Sequence, residues 1–219
     1  MYDGVVKLLS GKGDMSFSCI FVSGCILLPV KNGWYHGMIV ETKNKKQLLL
    51  RKLGQSDQEN LFRYLQNLSL NTKNRFGPHP FERDAIREFY ANPAHLGYIA
   101  VDTETSEIIA YSIIKKGFLE HDHSRLSSYG LVPDHLTDCT FAPSVADAWQ
   151  GCGVGTLLFN LILDELRTTD VRRIILWGGV QAENENAIKF YEKHGFRTLG
   201  HFFHNGGNYD MALHLDATS

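Results

Sequence analysis

From residue 47 onward the hydrophobic positions keep a period, and that period changes several times along the chain. Residues 47–53 (QLLLRKL) form an apolar run of strand length. Ser56-Asp57-Gln58-Glu59 then reads as a capping box, in which the Ser56 and Glu59 side chains each satisfy an orphan amide at a helix start. Leu61, Phe62, Leu65 and Leu68 follow at helical spacing. Residues 69–80, broken by Pro78 and Pro80, predict a loop, and 81–90 a second helix. Residues 95–101 alternate, 103–107 turn and 108–118 extend, which predicts a hairpin. After a polar stretch at 119–136, expected to be a loop, the pattern predicts a strand at 137–146, a helix from Val154 and an apolar strand at 171–177. A helix over 184–195 ends at Gly195, a natural terminator, and Phe196 begins the next strand. The chain closes on a hairpin, 197–204 with 208–215, across Asn205-Gly206-Gly207.

Residues 1–46 lack a sustained period and are rich in glycine, so they read as an extension preceding a domain at 47–216. A hairpin of 19–30 with 35–41 across Lys31-Asn32-Gly33 is the one element they suggest. This extension carries six basic and three acidic residues, which leaves the remainder of a chain of net charge −2 mildly acidic. With 22 Lys and Arg against 24 Asp and Glu there is no basic excess of the kind nucleic-acid binding requires. No apolar run reaches the roughly 18–20 residues of a membrane helix; the nearest, 17–30, is interrupted by Ser18, Ser23 and Gly24. Neither nucleic acid nor membrane is therefore an expected partner. Cys19, Cys25, Cys139 and Cys152 have no paired spacing and read as free thiols of a reducing cytoplasm. His121-Asp122-His123 sits in a polar stretch without further ligands nearby, so no metal is expected.

Chemistry enters at Gln150-Gly151-Cys152-Gly153-Val154-Gly155, between a predicted strand and a helix with Val154, Leu157, Leu158, Leu161, Ile162 and Leu166 on one face. Glycines let the backbone approach a bulky anion, and the free amides and dipole at a helix start favour a phosphate there. A P-loop would need lysine after the last glycine, where Thr156 stands, and the glycine spacing is wrong for a dinucleotide fingerprint. The pattern Gln/Arg-x-x-Gly-x-Gly/Ala, which binds the pyrophosphate of coenzyme A, is matched by Gln150, Gly153 and Gly155; tight strand–helix packing is the structural alternative.

A second motif, NENAIKFYEKHGF at 184–196, lies at the right separation from the first. Together the two motifs resemble the Gcn5-related N-acetyltransferase (GNAT) family, whose second signature is Asn-x-x-Ala-x-x-x-Tyr-Glu-Lys-x-Gly-Phe, and element order agrees over 47–215. The resemblance implies an α/β (α+β) fold: a mixed, mostly antiparallel sheet of about seven strands, helices on both faces, and fourth and fifth strands that splay to admit the cofactor. It implies acetyl transfer from acetyl-CoA to a primary amine of a small molecule, amino sugar or peptide. The alternative is an acyl-CoA-binding sensor without turnover. A homodimer is a further expectation by resemblance.

The resemblance also distributes roles. Tyr191 matches the general acid facing the thioester sulfur, or else is a core aromatic. Asn184 matches a ligand of the pantetheine arm, or else caps a helix. Ser144 and Val145 lie along the acyl and pantetheine groups, and Gly151, Cys152, Val154 and Thr156 complete the phosphate loop. The oxyanion donor falls to Val145, because Pro143 has no N–H; Asp147, where the family usually has proline, is a second departure. No general base stands out; Asp138 and Cys139 are the nearest candidates. Acceptor choice is expected from the loops 70–80 and 119–136, with Arg75 clamping a carboxylate or phosphate and His79 beside it.

Overall fold

The computed structural model describes residues 37–215 in full, together with the backbone of strands within residues 1–36. Among the described residues twelve strands form one sheet: β1 (Val5–Lys7), β2 (Ser18–Val22), β3 (Cys25–Val30), β4 (Gly33–Glu41), β5 (Gln47–Lys52), β6 (His95–Asp102), β7 (Ile108–Lys116), β8 (Asp138–Val145), β9 (Arg173–Leu176), β10 (Val180–Gln181), β11 (Arg197–Phe203) and β12 (Gly207–His214). Their order is β1 through β9 in sequence, then β12 and β10, with β11 also paired to β12. The helices are α1 (Gln58–Asn67), α2 (Leu70–Asn74), α3 (Arg83–Phe89), α4 (His123–Ser128), α5 (Val154–Leu166) and α6 (Glu185–Lys193). The seven strands expected from the pattern are β5 to β9, β11 and β12. The hairpin expected before them appears as β3 paired with β4, Ile26 opposite Gly37, although the Lys31-Asn32 turn and the side chains there lie outside the described residues. β4 then pairs with β5, Val40 opposite Leu48.

Alternation sends successive side chains to two cores. In β6, Tyr98 and Ala100 join Leu158 and Ile162 of α5, while Ile99 and Val101 join Leu61 and Leu65 of α1 and Ile86 of α3. In β9, Ile174 and Leu176 face α5, whereas Ile175 packs with Leu126 of α4. Helices α5 and α6 therefore cover one face, and α1, α3 and α4 the other. On α5 the buried stripe is Val154, Leu158, Phe159, Ile162, Leu163 and Leu166. Phe159 and Leu163 belong to it, and Leu157 and Leu161 lie at its margin.

Three local expectations change. Ser56 caps nothing: residues Gln55–Asp57 form a 3-10 turn, and the Asp57 carboxylate accepts from Gly54 N (2.8 Å) while holding Arg51. The loop at 69–80 contains α2, capped by Ser69, whose hydroxyl accepts from Thr72 N. The polar stretch 119–136 contains a 3-10 turn (Glu120–Asp122) and α4.

Candidate active site

Every neighbouring strand pair is antiparallel except β8 with β9, which run parallel from Asp138 opposite Arg173 to Phe141 opposite Leu176. There the pairing stops: Trp177 N donates to Phe141 O (2.9 Å), β9 ends, and β8 runs on to Val145 paired on its other side with β7. The opening between them is part of a cleft of about 1340 Å³. On the other side of β8, Ala146 N donates to Ile109 O of β7's edge (2.9 Å). Since backbone groups alternate along a strand, residue 141 faces the β9 ladder, and the backbone groups of residues 143 and 145 point into the opening. Val145 thus presents its N–H there, and its carbonyl accepts from Gln150 Nε2 (3.2 Å). Pro143 occupies the alternate position without a donor, tolerated because no ladder exists on that side.

At the end of β8 the chain turns through Asp147–Trp149 into the glycine loop. Asp147, the residue that departs from the family's proline, accepts from Ser69 N (2.9 Å), Ser69 Oγ (2.7 Å) and Thr72 Oγ1 (2.7 Å). These donors hold its carboxyl below the usual range and tie α2 to the loop. Gly151 (φ 76°) and Gly153 (φ 87°) are in the left-handed region, and a Cβ at either would meet no atom within 4 Å. The loop therefore leaves open space around backbone that an L side chain would strain. Gly153 caps α5 without a side chain, and the first bond inside the helix runs from Leu157 N to Gly153 O (3.1 Å). The N–H groups of Val154, Gly155 and Thr156 are left to point outward at the positive end of the dipole. Five basic side chains line the cleft, Lys43, Arg75, Arg125, Lys189 and Lys193, against one carboxylate, Asp122. A polyanion such as coenzyme A fits this charge and this loop.

Tyr191, on α6, lines the cleft with its ring buried at 7% exposure between Phe190 and Phe196. Its hydroxyl has no hydrogen-bond partner among the described residues, and burial raises its pKa, so the phenol holds its proton. Asn184 lines the cleft and is also the cap of α6, accepting from Ala187 N (3.3 Å). The helix-cap reading holds, and the residue borders the cleft as well. Ser144 lines the cleft and shares a 2.8 Å hydrogen bond with Tyr64 Oη of α1. Gln150, Gly151, Gly153, Val154, Gly155 and Thr156 all border the same space.

Other expected residues lie elsewhere. Cys152 is half-buried beside the loop, in contact with Asn44 Nδ2, and is not among the cleft-lining side chains. Of the acceptor pair, Arg75 lines the cleft near Asn184, but His79 does not. His79 is buried: Nδ1 donates to Pro80 O (2.8 Å), Nε2 accepts from Tyr111 Oη (3.0 Å), and Phe76, Phe81 and Phe89 surround the ring. Desolvation lowers its pKa and keeps it neutral. Asp138 faces Arg173 (2.7 Å) and Cys139 is wholly inside the α5 core, so neither reaches the cleft. Trp177 to Gln181, with Gly178 and Gly179 at positive φ, line the cleft. Phe202 to Asn205, at the tip of the last hairpin, also line it, and sequence reasoning missed these.

The sequence matches the model of the Acetyltransferase (GNAT) family over residues 65–196, more than half of the chain. The protein belongs to the GNAT acetyltransferase family. A phosphinothricin N-acetyltransferase of Streptomyces coelicolor is 28% identical over 102 residues, 47% of this chain and about half (52%) of that relative's length. Among solved structures, the GNAT domain of S. lividans PAT superposes with a TM-score of 0.64 at 20% identity, covering 82% of this chain and 97% of that one. The ribosomal-protein-S5-alanine acetyltransferase of Vibrio fischeri gives 0.60 at 15% identity over 83% and 99%. At these identities the likeness is one of fold. Among the described residues no helix is long and apolar enough to cross a membrane, and no group of three or more His, Cys, Asp or Glu is placed to hold a metal.

Proposed function

We propose that this GNAT protein transfers the acetyl group of acetyl-CoA to a primary amine by direct attack of the neutral amine on the thioester carbonyl. The observation that carries the reading is the uncapped start of α5. Its open glycine loop borders the same cleft as the buried Tyr191 phenol and the opening beside Val145. In this reading the amides of 151–156 hold the pyrophosphate, and Gln150 fixes the loop to β8. Asn184 and Ser144 border the pantetheine arm, and the Val145 N–H stabilises the tetrahedral oxyanion. Tyr191 gives its proton to the departing thiolate as the C–S bond breaks. Arg75 suits an acceptor that also carries an anion, so phosphinothricin, named for the Streptomyces relative, belongs in the first panel beside amino sugars and peptide amines. We assign the transferase domain to residues 47–216, with 1–46 an extension, and the protein to the cytoplasm, where its donor is available.

Pro143 favours a second reading, acyl-CoA binding without turnover, because one donor of the opening is missing. Calorimetric titration with acetyl-CoA, followed by free-thiol release against the amine panel, separates the two. Micromolar binding with amine-dependent release is expected. Binding without release from any amine supports the sensor, and no binding refutes both.

A further inference from the structure

The 3-10 turn Glu120–Asp122 and α4 lie on the face of the sheet opposite α5, where Leu126 packs on Ile175 and Ala212. Asp122 is 2% exposed, yet it is the one carboxylate among the described residues that line the cleft. Arg125 stands between it and a second buried acid, Asp210. Two hydrogen bonds, Nε to Oδ2 (2.7 Å) and Nη2 to Oδ1 (3.2 Å), commit the guanidinium to Asp210, and its plane rests on Phe202. Asp122 Oδ1 lies 2.8 Å from Nη2 in an ion pair. Two buried carboxylates sharing one guanidinium leave an excess negative charge, which a second cation would offset. An alkylammonium carries three donors. The other group at Oδ1 is His121 Nε2, at 3.4 Å, on a side chain 74% exposed to solvent.

We propose that Asp122 receives the acceptor amine as an ammonium and takes its proton, and that His121 passes that proton to solvent. The inference rests on the acetyl-transfer reading above. It answers a chemical need, since an alkyl amine with a pKa of about 10.4 is protonated at neutral pH. One N–H proton moves to the Asp122 carboxylate, and the freed lone pair forms the C–N bond. Asp122 then hands its proton to His121 and water. The second nitrogen proton, lost as the C–S bond breaks, replaces the one Tyr191 gives the thiolate. Burial makes Asp122 a stronger base than an exposed aspartate, Arg125 and His121 oppose that effect, and Asp210 reinforces it; Tyr129 is the remaining titratable neighbour.

The test compares the whole protein with Asp122→Asn and His121→Gln, using the fastest alkyl amine of the panel and hydroxylamine, whose nitrogen is already unprotonated at neutral pH. Asp122→Asn is expected to bind acetyl-CoA as the parent does and to lose about 10²–10⁴-fold in turnover of the alkyl amine at neutral pH. That rate should climb with pH toward the ammonium pKa, and hydroxylamine should lose far less. His121→Gln should lose less than Asp122→Asn and recover with added imidazole. Equal turnover by Asp122→Asn and parent, or equal losses with both nucleophiles, overturns the proposal. Should Asp122→Asn lack a cooperative melting transition, His121→Gln decides: no loss, or a loss imidazole does not restore, overturns it. Failure of the acetyl-transfer reading would instead show in the parent protein alone, before any variant is compared.

Discussion

Replacing Tyr191 by Phe removes one oxygen and keeps the part of the side chain that the fold uses. The ring packs at 5.4 Å from Phe190 and 5.3 Å from Phe196, centroid to centroid, and both contacts survive the change. No hydrogen bond is lost in the free protein, because the hydroxyl has no partner among the described residues. Stability is therefore expected to change by no more than about 0.5 kcal/mol, a shift of about 1–2 °C in Tm. Turnover is expected to fall about 10²–10⁴-fold, the usual range for a general acid, or about 2.7–5.5 kcal/mol of barrier. Thiol release measures the turnover, calorimetry the affinity for acetyl-CoA, and thermal unfolding the fold. Because burial holds the phenol above its ordinary pKa, the donor form persists through neutrality, and any alkaline limb due to Tyr191 begins above about pH 10. Unchanged kcat with unchanged affinity would refute the acid role. A Tm lowered by about 10 °C with loss of binding would show that the hydroxyl is structural, contrary to the packing argument.

Pro143→Ala restores an N–H aimed into the opening between β8 and β9; acetyl-CoA should bind more tightly, by up to about tenfold, at a stability loss of about 0.4–1 kcal/mol. Unchanged affinity on titration would mean that the 143 amide does not reach the donor. Arg173→Met strands the Asp138 carboxylate, whose side chain is 1% exposed, and urea unfolding should show a loss of about 3–5 kcal/mol; a loss under 1 kcal/mol would refute the burial argument. Acidification should destabilise the fold through His79, His95 and His194, whose pKa values are all lowered by burial. The unfolded chain binds more protons below its histidine pKa of about 6.5, so stability is present above that pH and lost as pH falls below it. A parent urea midpoint that does not move between about pH 7 and 5, or an equal slope in His79→Gln, would contradict this.

The longer elements from 47 to 215 were legible because each carries a full period of buried positions, and the two motifs were legible because each fixes a backbone conformation. What the sequence concealed has physical causes. Helices α2 and α4 are five and six residues long, too short to show an amphipathic repeat; α4 buries one apolar residue, Leu126, and the rest of their anchoring is largely polar: Asp147 on Ser69 and Thr72, Arg125 on Asp210. A polar stretch held by ion pairs looks like a solvated loop. His79 was mistaken for an acceptor contact because its neighbours in sequence, Arg75 and Phe76, do border the cleft; the ring turns inward because Tyr111 supplies a buried donor 32 residues away. The capping box failed at Ser56 for a related reason, since Arg51 of β5 draws the Asp57 carboxylate to the helix start first.

The two departures from the family pattern have separate physical accounts, and the divergence of β8 and β9 supplies the first. A proline inside a twelve-stranded sheet contradicts strand propensity unless its nitrogen faces a place where no ladder forms, and the opening past Phe141 is such a place. Asp147 stands where the family usually has proline to shape the turn into the glycine loop. Here three hydrogen bonds to Ser69 and Thr72 do the shaping, and Thr72 also receives Gln150 Nε2 at 3.4 Å. Rigidity of the glycine loop is thereby supplied by a contact with α2, the segment that leads directly into Arg75. On the proposed assignment of Arg75 to the acceptor and the glycine loop to the donor, α2 would connect the two sites. Ser69→Ala removes one of the three hydrogen bonds to Asp147 and should weaken acetyl-CoA binding on calorimetric titration, and unchanged affinity would refute the bracing role.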